Sequence, residues 1–213
     1  MTRKLTPEDF QKNDSEFELL AEVSHQKLRE FVVGQIREEK VLLRIYSIYQ
    51  VLMMMLFVFI LTRSTILAFK GQPLPLEIIG LTIIFSFSLL VIIHELLHAA
   101  AYLLTGARNI SFGYNLRKFI FYALADKQVI GAKAFHVVAL APFIVVKLIG
   151  IMGTILFFNG PGLYFFLSVM CLHSLFCAGD MAMLAFYKLN RDKEIFNFDN
   201  RSEGKTYFYT RKK

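Results

Sequence analysis

The chain has 213 residues, of which 55% are apolar and 19% charged, with a mean hydropathy of +0.49 and a formal net charge of +7. Soluble domains average roughly 45–50% apolar and about 25% charged residues, so this composition excludes a water-soluble globule and a disordered chain. Long apolar blocks exclude a disulfide-stapled secreted domain, and the basic excess does not point to nucleic acid, because the Lys and Arg clusters flank apolar runs where they set topology.

Residues 1–44 are polar and rich in helix formers. Ser15 and Glu18 have capping-box spacing, and Phe17, Leu20, Leu28, Phe31 and Ile36 follow at roughly helical intervals. This predicts a cytoplasmic amphipathic helix at the membrane surface. The charged first 40 residues do not fit a cleavable signal peptide. Four apolar blocks follow, Val41–Leu61, Ile78–Leu104, Val137–Phe158 and Leu163–Leu189, each at or beyond the roughly 18–20 residues that cross a bilayer. Lys70-Gly71-Gln72-Pro73 and Gly160-Pro161-Gly162 are turns between them. Residues 107–133 are the sizeable internal polar loop, where Ile110, Phe112, Tyr114 and then Phe119, Phe121 alternate as short strands do. The expectation is an all-α, four-span membrane domain over residues 45–190, with a small strand-like loop between spans two and three and a basic tail over 191–213.

Positive charge orients the spans. Lys and Arg number eight in residues 1–44, two in residues 62–76, five in 105–133, none in the third turn and eight from Lys188 onward. That alternation puts both termini in the cytoplasm.

The second block contains His94-Glu95-Leu96-Leu97-His98. Residues four apart share a helix face, so both imidazoles can reach one metal ion, and Glu95 beside them can take a proton from a metal-activated water. The structural alternative is a pair of interhelical hydrogen-bonding histidines with a snorkelling Glu. Ionisable groups in a lipid-embedded helix are costly and usually functional. Catalytic zinc takes three protein ligands and a water, so a third is needed from among His136, Lys147, His173 and Asp180. His94 and His98 lie 11 and 7 residues before Thr105, and Asp180 lies 8 before Lys188. Both positions fall about 10–16 Å below the cytoplasmic boundary by helical rise, so Asp180 is the expected third ligand.

His173, seven residues before Asp180, is expected about 10 Å deeper by the same rise. It is open to readings as an alternative ligand, a donor behind a ligand, an oxyanion stabiliser or an interhelical hydrogen bond. Pro142 lies near the depth of the site and frees a helical carbonyl that could hold a substrate backbone. Lys147, inside the third span, snorkels or pairs, with a catalytic role as the alternative. Cys171 and Cys177 are expected to be buried, inert thiols.

The HELLHAAAY segment, the Ala141-Pro142 pair and Gly179-Asp180 resemble the bacterial membrane family described as "putative zincin peptidases", which is itself similar to the site-2-protease class of intramembrane zinc metalloproteases. The resemblance spans roughly residues 75–190. It implies His94 and His98 as zinc ligands, Glu95 as the catalytic carboxylate, Asp180 as the third ligand and the bacterial inner membrane as the location. Here Gly179 precedes Asp180, whereas site-2 proteases place the Gly after the Asp, with an upstream Asn that this stretch lacks. The expected activity is zinc-dependent hydrolysis of peptide bonds in membrane-protein or peptide substrates, in contact with the lipid bilayer and without nucleic acid. A scaffold with a structural metal site and a metal transporter are the alternatives.

Overall fold

The computed structural model describes residues 5–13, 15–24, 27, 30, 31, 34, 40–115 and 120–212. In chain order these form α1 (Pro7–Lys12), β1 (Phe17–Ser24), α2 (Lys40–Phe69) and α3 (Leu74–Leu104). The strands β2 (Ile110–Asn115), β3 (Ile120–Ala125) and β4 (Ile130–Gly131) come next, followed by α4 (Ala132–Leu156), α5 (Gly162–Phe176) and α6 (Ala178–Leu189). Two further strands, β5 (Ile195–Asn200) and β6 (Lys205–Arg211), complete the order.

Apolar runs of this length form helices because a helix satisfies its own backbone groups without water. Three of them, Val41–Phe69, Leu74–Leu104 and Ala132–Leu156, are long and apolar enough to cross a membrane. The block Leu163–Leu189 is not one straight helix. It breaks at Cys177 into α5 and α6, bent by 48°, and passes the same test only as a pair. α3 carries a π-helical turn at Ser86–Leu90, one turn before His94.

The fold is not all-α. β1, β6, β5 and β4 form a four-stranded antiparallel sheet in that order, and β2 pairs with β3 as a separate hairpin. The hairpin matches the alternation in the internal loop. The first sheet was hidden by spacing. Phe17 and Leu20 are three apart, as on a helix, because the ladder with β6 shifts register between Leu19 and Ala21; one extra residue in a strand breaks the period of two. The N-terminal capping box is at Thr6 and Asp9, whose Oδ2 accepts from the Thr6 N–H at 2.8 Å, and it opens the short α1 instead of a long amphipathic helix. Leu28 and Ile36 lie outside the described residues, while Phe31 packs on Phe186 and Phe208.

The main core lies where the sheet meets the helix ends. Val23, Ile195 and Phe208 pack on Tyr102, Phe135, Ala185 and Phe186, with Phe135 stacked on Tyr187 at 4.5 Å. At the other end Ile60, Ile79 and Tyr164 join α2, α3 and α5. Between α4 and α5 two glycines admit close approach. A Cβ on Gly150 would stand 2.2 Å from Met170 Cγ, and one on Gly153 would stand 2.3 Å from Phe166 Cδ1.

Overpacking such a contact costs about 1–3 kcal/mol. Gly153→Val should therefore lower the melting temperature of the detergent-solubilised protein by several degrees, and Phe166→Ala in that background should recover part of the loss. No recovery would mean that α4 and α5 do not meet at this pair.

Candidate metal centre

His94 and His98 sit one turn apart on α3, after the π turn, and their Nε2 atoms are 3.1 Å from each other. Asp180 is in the first turn of α6. The bend at Cys177 turns that carboxylate toward α3, so Oδ2 is 3.4 Å from His94 Nε2 and Oδ1 is 3.3 Å from His98 Nε2. Both imidazoles are buried, at 5% and 8% exposure. Ligands about 2.0–2.2 Å from a tetrahedral zinc stand roughly 3.3–3.5 Å apart, so these three edges have the size of one tetrahedral face.

The protonation pattern also fits a cation. His98 Nδ1 is 2.9 Å from the Val138 carbonyl, and a carbonyl only accepts, so the ring proton is on Nδ1 and a neutral His98 turns a lone pair inward at Nε2. The buried Asp180 Oδ2 makes no hydrogen bond. Lone pairs converging out of reach of water favour a positive ion among them. Two nitrogens and a carboxylate are a donor set that zinc accepts.

Behind this face the outer ring nitrogens are also held. His94 Nδ1 is 3.1 Å from His173 Nε2, and His173 Nδ1 is 3.6 Å from Cys177 Sγ. His173 is therefore beside His94, at the ring nitrogen opposite the one that faces Asp180 and His98. His94, His173 and Cys177 are a second group with metal-ligating spacing, sharing His94 with the first.

Pro142 is fully buried within α4. The carbonyl four residues before it, on Val138, is bonded to His98 rather than open to a substrate backbone. Glu95 Oε2 accepts the Ala123 N–H of β3 at 2.7 Å. Lys147 Nζ donates to the Met170 carbonyl at 2.5 Å and lies 5.2 Å from the Tyr49 ring centroid. His136 Nδ1 bonds the Ala132 carbonyl in its own helix.

A cavity of about 460 Å³ holds His94, Glu95, His98 and Asp180 on one wall. That is the size of small-ligand and substrate sites, which span about 300–1,000 Å³. Its remaining walls include Tyr102, β3 and the sheet residues Asn197, Asp199 and Thr206. Sequence reasoning reached the strand in the internal loop but missed Tyr102, Asn197, Asp199 and Thr206. Tyr102 continues the His94–His98 face at the same four-residue step, and the alternation Thr206, Phe208, Thr210 marks a half-buried strand, so both signals were present. The Val138 carbonyl and the Ala123 amide are backbone groups with no side-chain signature.

Two histidines, a carboxylate and an adjacent glutamate opening on one cavity are the parts of a metal-dependent hydrolase site. Residues 87–194, just over half the chain, match the family described as "Putative zincin peptidase", and the chain belongs to that family. Its description is that of a zinc metallopeptidase. No curated protein and no solved structure gives a significant match.

Cys171 and Cys177 are free and fully buried, so a membrane-permeant maleimide should leave both unmodified in the native protein and label two thiols per chain after denaturation in SDS. Native labelling of Cys177 would show that the cavity reaches the back of His173.

Proposed function

We propose that this chain is a zinc-dependent endopeptidase that cleaves membrane-protein substrates within or beside the bilayer. In this reading α2, α3, α4 and the bent pair α5–α6 make four spans, with both termini in the cytoplasm of a bacterial inner membrane. The observation that carries it is the convergence of His94, His98 and Asp180 on the cavity that also holds Glu95.

His94 Nε2, His98 Nε2 and the Asp180 carboxylate would hold the zinc. The ion, when bound, supplies Lewis acidity to the attacking water and to the scissile carbonyl. Glu95 takes the proton from that water at its carboxylate as the oxygen attacks the carbonyl carbon. It then passes the proton to the amide nitrogen as the C–N bond breaks. The Ala123 N–H on Oε2 fixes the carboxylate during both transfers. The apolar wall of the cavity keeps bulk water from the reacting groups. A helical substrate hides its carbonyls in its own hydrogen bonds, so the bond to be cut must be presented in an extended segment, and the hairpin loop can receive that segment by strand addition.

Glu95→Gln should keep close to one zinc per chain while cleavage falls by about 10²–10⁴. Asp180→Ala and His94→Ala should instead lose most of the metal. Zinc content by atomic emission separates the two classes, and comparative membrane proteomics of wild type against Glu95→Gln should reveal uncleaved substrates accumulating in the variant. Full turnover in Glu95→Gln would remove the peptidase reading. For the topology, reporters at the C-terminus and within residues 120–130 should face the cytoplasm, and one at Gln72 the opposite side; Gln72 and the C-terminus on one side would exclude four spans.

A further inference from the structure

The two imidazoles of the metal centre are both held at Nδ1, but by different kinds of partner. His94 meets another side chain, His173, and His98 meets a backbone carbonyl inside a helix. The second contact is unusual, because a carbonyl in a helix interior normally accepts from the N–H four residues later. Four residues after Val138 stands Pro142, which has no N–H, and whose ring pushes the carbonyl of residue i−4 away from the helix axis.

We propose that Pro142 is a positioning residue for the metal centre: by withholding the helical donor it turns the Val138 carbonyl toward α3, where that oxygen fixes the ring of His98. This inference rests on the zinc reading above and adds to it a cause for the ligand geometry. With Nδ1–H bonded to the Val138 oxygen at 2.9 Å, His98 keeps its lone pair on Nε2, the atom 3.3 Å from Asp180 Oδ1 and 3.1 Å from His94 Nε2. Both Val138 and Pro142 are buried, at 3% and under 2% exposure, so water does not replace the missing donor. Any other residue at position 142 supplies an N–H that competes with His98 for the same oxygen. The bond that sets the imidazole's tautomer and ring angle is then weakened.

A proline that served only helix shape predicts a different outcome. Helix interiors disfavour proline more than any other residue, so Pro142→Ala favours α4 itself, and Pro142→Val restores the N–H while keeping most of the side-chain volume. The test measures zinc affinity and zinc-free melting temperature of the full chain in detergent for wild type, Pro142→Ala and Pro142→Val. Histidine-selective ¹⁵N spectra of the zinc-free proteins report the ring tautomers. Loss of a partner behind a metal ligand weakens affinity by about 10–100-fold. A competing N–H leaves the carbonyl its second lone pair, so the expected loss is about tenfold in both variants. The melting temperature should be unchanged or higher, and one histidine should move from a single Nδ1–H form to a mixture. Equal zinc affinity in all three proteins would overturn the role of Pro142 and leave the zinc reading intact. Lost affinity together with a lower zinc-free melting temperature would assign the effect to packing and overturn it as well. No zinc bound by the wild type would remove both readings.

Discussion

Two buried imidazole nitrogens and a half-buried carboxylate, 3.1–3.4 Å apart, are the constraint around which this molecule is arranged. Acceptors crowded in a buried place must find a cation or a proton, and every other polar atom nearby must be bonded elsewhere. The structure meets the second demand atom by atom. His98 Nδ1 bonds a carbonyl, His94 Nδ1 meets His173, His173 meets Cys177, and Glu95 accepts a strand amide. The departures from regular helix geometry in α3 to α6 serve the same place: the π turn before His94, Pro142 in α4 and the break at Cys177. Regular helices would present side chains at fixed rises and angles. These three irregularities bring residues from three different chain segments to one point.

The long helices, the hairpin and the His94–His98 pair were legible because each follows a short rule: run length, alternation, and four-residue spacing. Asp180 was reachable through depth below a charged boundary, which tolerates an error of one turn. The same arithmetic could not show that the His173 ring meets His94 from behind, since rise along one helix does not say which neighbour a side chain faces. The sheet was illegible for another reason. A register shift between Leu19 and Ala21 gives β1 a helix-like spacing, and the charge of the segment after Lys188 draws attention away from the alternation of Thr206, Phe208 and Thr210. The least legible parts are the backbone partners. Nothing in the identity of Val138 or Ala123 announces a bond to His98 or Glu95, and only the proline four residues downstream hints at the first.

The family match ends at residue 194, whereas the cavity does not. Asn197 and Asp199 on β5 and Thr206 on β6 complete its wall. The residues proposed to hold a metal and move a proton thus belong to the region this chain shares with its family, and part of the surface a substrate would meet comes from the strands beyond it. Thr206 donates to Asp199 Oδ1 at 2.6 Å and Tyr187 donates to Asn197 at 2.7 Å, so this wall is fixed to α6, the helix that carries Asp180.

The pairing of β1 with β6 has a consequence for biogenesis. β1 leaves the ribosome before any helix of the membrane region, and β6 leaves after all of them, so the four-stranded sheet is complete only when the two flanking segments find each other. The strands that line the cavity, β5 and β6, are joined to β4 without β1, so the first segment of the chain to be made braces that wall from its outer edge.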